Sequence, residues 1–342
     1  MRIERTVPLW IAGALLILGA TWAVIIYVPD PSRLEATDAQ SATDLHSDSV
    51  ASARRSTSRT FTDDLGRTVT LGTPTRIVSL APNLTEIAFA AGAGHKVVAV
   101  GVSDDFPPAV DSLPHIGVLP VDVEAIVAQK PDLVVATTQV NSPRDADAFA
   151  AVEIPAYYFA FPTLQSVFDG IRRMGELAQT EPAARDSAAA LEAQFSRLTS
   201  RTDSVLSSLT PHLPDSLARP TVLVLAGSDV LYSFGHESYV HTMVEAAGGR
   251  SITQSIETAA PTLSEEFVLN ARPDVIVGAF RGDRPTETLL NHHPSFDLVP
   301  AVKSGRVVCI DSDLLFRPGP RLVQGTEQLS NVLHDVASSR ER

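Results

Sequence analysis

One segment of this chain occurs twice. Val123-Glu-Ala-Ile-Val-Ala-Gln-Lys-Pro-Asp-Leu-Val-Val135 returns as Glu265-Glu-Phe-Val-Leu-Asn-Ala-Arg-Pro-Asp-Val-Ile-Val277, and Glu124 and Glu266, like Pro131 and Pro273, stand 142 positions apart. An acidic first turn favours a helix N-terminus, and Pro ends the helix because it lacks an N–H and clashes with the preceding turn. The apolar run that follows reads as a buried strand. A helix-to-strand unit repeated across half the chain predicts two lobes of similar build. Lobes of that kind leave a cleft, and clefts between domains are favoured ligand sites.

A length of 342 residues accommodates two separate cores. The formal charge of −13 lacks the basic footprint that a nucleic-acid partner requires, so that class is excluded. Cys309 is the one cysteine, which rules out an intrachain disulfide, and its place in Arg306-Val-Val-Cys-Ile310 predicts a buried strand residue. From Pro8 to Val28 the chain carries no charge, and as a helix this run would span about 31 Å, one bilayer core. Arg2 and Arg5 precede it and Asp30 and Glu35 follow, so the positive-inside rule keeps the N-terminus cytoplasmic and exports the rest. Residues 1–28 are therefore expected to be a cytoplasmic stub and transmembrane anchor. A cleaved signal peptide, the competing reading, usually has a shorter apolar core followed closely by small residues. No Cys follows the run, so lipid attachment is not expected there. Residues 29–59 are rich in Ser, Thr, Ala and Asp and read as a flexible linker, with a root-mean-square reach of roughly 30 Å.

The expected fold is α/β: two Rossmann-like lobes with mainly parallel sheets, joined by one long backbone helix and preceded by the transmembrane helix. Residues 60–180 form the N-terminal lobe, with strands at 76–80 and 96–101 and a helix from Pro82 stopped by Gly92. Residues 181–210 connect the lobes, and Glu181 to Ser208, rich in Ala, Leu, Glu and Arg, predicts a helix of about 42 Å. Residues 211–342 form the C-terminal lobe, with a strand at 221–225 and helices at 239–247 and 321–336.

Arg76-Ile-Val-Ser-Leu-Ala-Pro-Asn-Leu-Thr-Glu86, Asp105-Phe-Pro-Pro108, Lys130-Pro-Asp-Leu-Val134, Ser312-Asp313 and Arg317-Pro-Gly-Pro-Arg321 resemble, in order and spacing, the cobalamin-type substrate-binding proteins of bacterial ABC importers. This helical-backbone receptor group also binds haem and ferric siderophores. The resemblance covers residues 61–340 and implies capture of cobalamin or a related corrinoid between the lobes and delivery to a permease with its ATPase. It implies docking through one Glu on each lobe, here Glu124 and Glu266, and ligand contacts from Pro82, Asn83, Phe106, Tyr232, Phe234, Asp313 and Arg317. A corrinoid is a large disc with an apolar periphery bearing amides, which suits aromatic walls with a polar rim. The chain departs from the group at Gly117-Val-Leu-Pro-Val121, where a Trp is often found, so Phe106, Tyr232, Phe234 and Phe316 would form a smaller platform. A monomer in the cell envelope, with its head outside the cytoplasmic membrane, is the corresponding expectation.

Haem would need an axial ligand, and His236, His241, Tyr232 and Tyr239 are the candidates, although solvent-exposed or capping roles are the simpler reading of each. Adjacent His292 and His293 cannot project together from regular structure, so no protein-bound metal is expected there. Asp104-Asp105 reads as a turn. No Gly-x-Ser-x-Gly, His-Glu-x-x-His or phosphate loop is present. No covalent chemistry, catalytic residue or resident cofactor is expected, and the chain is read as a non-enzyme. A membrane-tethered sensor that binds the same ligand without transport is the remaining alternative.

Overall fold

The computed structural model describes residues 58–209, 218–280 and 284–339. A hairpin of β1 (Arg59–Thr62) and β2 (Thr68–Leu71) opens the head. No sequence signal marked it, and one side chain reinforces its backbone turn. Asp63 accepts from the Leu65 and Arg67 amides and from Arg67 Nε, closing the turn.

The N-terminal lobe alternates β3 (Ile77–Ser79), α1 (Pro82–Ala90), β4 (Val97–Gly101), β5 (His115–Ile116), α2 (Val123–Ala128), β6 (Leu133–Thr137), α3 (Pro143–Ala151), β7 (Ala156–Phe159) and α4 (Leu164–Ala178). The backbone helix α5 (Glu181–Leu209) follows. The C-terminal lobe contains β8 (Thr221–Leu225), α6 (Tyr239–Ala246), β9 (Arg250–Ser251), α7 (Glu265–Ala271), β10 (Val275–Gly278), α8 (Pro285–His292), α9 (Pro300–Lys303), β11 (Val307–Cys309), α10 (Ser312–Leu315) and α11 (Leu322–Ser339). The strands order as β5-β4-β3-β6-β7 in the first lobe and β11-β10-β8-β9 in the second. Every pairing within these two sheets is parallel. Parallel sheets must be covered on both faces, and the fully buried strands Leu133–Thr137 and Val275–Gly278 meet that requirement.

The repeated segment performs one task in both lobes. Asp132 accepts from the amides of Thr75 (2.8 Å) and Arg76 (2.9 Å), pinning the chain just before β3. Asp274 accepts from the amide of Thr221 at 2.7 Å and from its hydroxyl at 2.5 Å, pinning the start of β8. The basic residue before each Pro, Lys130 or Arg272, sits at φ 50°, the left-handed region that ends the helix. Each copy therefore turns a short helix into a strand and anchors the neighbouring strand.

One apolar cluster runs from Ile77 and Leu84 through Ala184 and Ala188 on α5 to Val244 and Leu333, and each lobe adds a smaller one on the other face of its sheet, around Phe149 and around Phe296. Gly175 allows its helix to approach Ala184, and a buried hydroxyl pair, Thr202 Oγ1 with Ser330 Oγ at 2.9 Å, fastens α5 to α11. At 29 residues α5 is a rod of about 44 Å. Cys309 corrects one expectation. It lies in a strand as predicted but is exposed, because β11 is an edge strand and the residue falls at its carboxyl end. Among the described residues no helix is long and apolar enough to cross a membrane. The expected anchor at Pro8 to Val28 and the linker at 29–59, up to residue 57, lie outside the described residues.

Candidate functional site: the interlobe cleft

Strand β3 delivers the chain into α1 at Pro82, which occupies the first helical position, where a missing N–H costs nothing. This turn places Asn83 and Glu86 on the inner wall, both buried. Beyond β4, the loop carrying Asp104, Asp105 and Phe106 forms the rim. From the C-terminal lobe, α10 is capped by Asp311, which accepts from the Asp313 amide at 2.9 Å. Arg317-Pro-Gly-Pro-Arg321 then crosses the gap.

The two walls touch. Asn83 Nδ2 donates to Pro318 O at 3.2 Å. Glu86 accepts from Arg321 Nε at 3.0 Å and Nη2 at 2.6 Å, and from Arg317 Nη1 at 3.4 Å. Arg317 Nη1 also reaches Asp105 at 2.8 Å, while its Nη2 meets Asp313 at 2.9 Å. The Arg321 guanidinium lies 4.4 Å from the Phe106 ring centroid and 3.4 Å from Asp313. Phe234 stacks on Phe316, with centroids 4.9 Å apart and planes at 15°. Asn83, Phe106, Asp313 and Arg317 are thus brought together. Phe234 joins through Phe316, the neighbour of Arg317. Pro82 stands at the helix entry, and Tyr232 lies in a short bridge with Thr262.

Three residues of this cluster had no assigned role. Glu86 and Arg321 bind the lobes together, and Asp104, whose amide closes the expected turn onto the Gly101 carbonyl, has its side chain buried. Asp104 accepts a short hydrogen bond from Thr85 Oγ1, while its Oδ2 has no partner. Burial pushes its carboxyl up to about 6, against the smaller lowering effects of the Thr85 hydrogen bond, Arg317 and His115. The sequence signal for Arg321 was its symmetry with Arg317 across Pro-Gly-Pro.

The family described as periplasmic binding protein matches residues 77–314, from β3 to α10. The chain belongs to the periplasmic binding protein family. Among the relatives of this binding protein, a vitamin B12-binding protein of Photorhabdus laumondii is 27% identical over 268 residues, 78% of this chain and 90% of the relative. An uncharacterized ABC transporter substrate-binding lipoprotein of Bacillus subtilis, YvrC, is 26% identical over 266 residues, 76% and 80% of the two chains. Among solved structures, the periplasmic haem-binding protein RhuT from Roseiflexus in apo form superposes with a TM-score of 0.65 at 29% identity, covering 77% of this chain and 98% of that one.

The paired acids of the binding protein occupy equivalent places. Asp122 caps α2 by accepting from the Ala125 amide, Ser264 caps α7 by accepting from the Phe267 amide, and Glu124 and Glu266 follow two residues later, both exposed. Neighbouring Glu265 is used internally. It accepts from Ser295 at 2.5 Å and contacts His293 Nδ1 at 2.9 Å, and these bonds, Ser295 foremost, hold its carboxyl below the usual range.

The four candidate axial ligands do not form an open set. Solvent-exposed or capping roles were expected, and His241 and Tyr239 are instead buried, because α6 turns that face into the lobe. Nε2 of His241 lies 3.3 Å from His236 Nδ1 and 3.3 Å from Glu245 Oε1. Among the described residues no group of three or more His, Cys, Asp or Glu is arranged to hold a metal ion.

Proposed function

We propose that this binding protein captures cobalamin or a related corrinoid in the interlobe cleft, outside the cytoplasmic membrane, and presents it to the permease of an ABC importer. The observation that carries the ligand assignment is the charge pattern of the cleft. Three carboxylates, Glu86, Asp105 and Asp313, face two guanidiniums, Arg317 and Arg321, and each is already paired. A dianionic ligand would add charge to a surface with one net negative charge. A periphery of neutral amides can accept from the guanidiniums through its carbonyls without that cost. Phe106 and the Phe234–Phe316 stack provide aromatic walls for the disc. The vitamin B12-binding relative agrees with this choice.

Delivery assigns Glu124 and Glu266 to the permease. Two equivalent exposed acids, one per lobe, suit a two-point contact with basic residues, where rim charges orient the encounter more than they add affinity. Haem is the second reading, favoured by the RhuT likeness and by the exposed ring of His236. Titration calorimetry of the full-length protein with cyanocobalamin, cobinamide, haemin and a ferric siderophore tests the choice. Saturable binding of the two corrinoids in preference to the others is expected. Tight haemin binding, with a Soret shift lost in His236→Ala, would transfer the assignment to haem.

A further inference from the structure

The five ionised groups of the cleft divide into two layers. In the lower layer the Glu86 side chain is only 2% exposed, yet it belongs to one lobe and both of its guanidinium partners belong to the other. Gly319 leaves room beside this approach, since a β-carbon there would lie a tight 3.3 Å from Glu86 Oε2. The Asn83 to Pro318 hydrogen bond joins the same layer. A carboxylate taken out of water in this way needs its cations, and removing either partner leaves a buried charge uncompensated. The upper layer is different. Asp105 is 63% exposed, and its bond to Arg317 Nη1 is of the hydrated kind that contributes little. Arg317 Nη1 is shared between the two layers, and Nη2 is committed to Asp313.

We infer that Glu86 is a positioning residue that fixes Arg317 and Arg321 across the lobes, and that Asp105 is an internal competitor that holds the ligand-facing N–H of Arg317 until a ligand carbonyl replaces it. This rests on the cleft being the ligand site. When ligand arrives, Asp105 turns to water, Nη1 donates to a peripheral carbonyl of the guest, and the lower layer stays closed. A ligand without an acceptor at its edge leaves Asp105 in place, which makes this residue a filter on ligand chemistry.

Two variants of the full-length protein, Asp105→Ala and Glu86→Gln, separate the layers. Titration with cyanocobalamin should show Asp105→Ala binding about 2- to 5-fold tighter than the parent, the factor released by a weak exposed pair. Raising salt from low to high should tighten the parent, by weakening its internal competitor, and leave Asp105→Ala unchanged. Glu86→Gln should bind at least about 10-fold more weakly. In thermal unfolding without ligand, Glu86→Gln should lose stability and Asp105→Ala should not. Should Glu86→Gln fail to fold, Arg321→Lys keeps the charge but lacks the two-pronged fork, and the same loss of affinity is expected. Weaker binding by Asp105→Ala would overturn the competitor role and make Asp105 a direct ligand partner. Unchanged affinity in Glu86→Gln or Arg321→Lys would overturn the positioning role. A parent protein that binds none of the four ligands would instead refute the proposed function. The ligand-free unfolding comparison still decides between the layers in that case.

Discussion

Asp104 makes the stability of this protein depend on pH in a direction opposite to that of most carboxylates. Its carboxyl is buried with one oxygen unpartnered, and it titrates at about 6 against an ordinary value of 3.8. The folded state therefore binds the Asp104 proton more tightly than the unfolded chain does. The resulting stabilisation is fully present below the unfolded value, and it is lost as pH rises through the folded one. Between pH 7.5 and pH 4.5 the linkage relation yields a gain of about 2 kcal/mol. A head of about 280 residues has an unfolding entropy near 0.6 kcal/mol/K, so this gain corresponds to roughly 3 °C in Tm. Other groups titrate over the same interval, and Asp104→Asn, which removes the proton but keeps the shape, isolates the contribution. The assay is thermal unfolding of parent and variant at both pH values. The Tm difference between parent and variant should shift by roughly 3 °C in favour of the parent at the acid end. Parallel pH profiles would refute the argument and place a compensating water or cation beside Oδ2.

Three further outcomes follow from the same structure. Glu124→Lys combined with Glu266→Lys should leave ligand affinity intact and abolish uptake in a transport assay, since both side chains are exposed in the first turns of α2 and α7 and neither takes part in the cleft ion pairs. Phe106→Ala should weaken corrinoid binding by about 10-fold in calorimetry, the value of one lost aromatic wall. Gly325→Ala should lower stability by about 3 kcal/mol in denaturant titration, because its new β-carbon collides with the Leu314 carbonyl oxygen, a backbone atom that cannot swing aside.

The elements that were legible in the sequence are those whose cause is local. Apolar runs bounded by Pro and Gly marked β3, β4, β6, β8 and β10, and the acidic first turns at Glu124 and at Glu265 and Glu266 marked the starts of α2 and α7. The uninterrupted composition of 181–208 marked α5 to within one residue. The repeat predicted matching helix-to-strand units, although the role of Asp132 and Asp274 as strand anchors needed their partners at Thr75, Arg76 and Thr221 to be seen. Periodicity says that α6 has a buried face. It does not say that His241 and Tyr239 occupy it.

The sequence alone determined two α/β lobes, one long helix between them and a pair of acids in equivalent turns, because hydrophobic period, capping and proline chemistry act over a few residues. Tertiary structure alone decided that Glu86 meets Arg321 from 235 positions away, that Asp104 is sealed from water and that Cys309 is not. A charged side chain takes its energy from what surrounds it, and those surroundings exist only once the lobes have been set against each other.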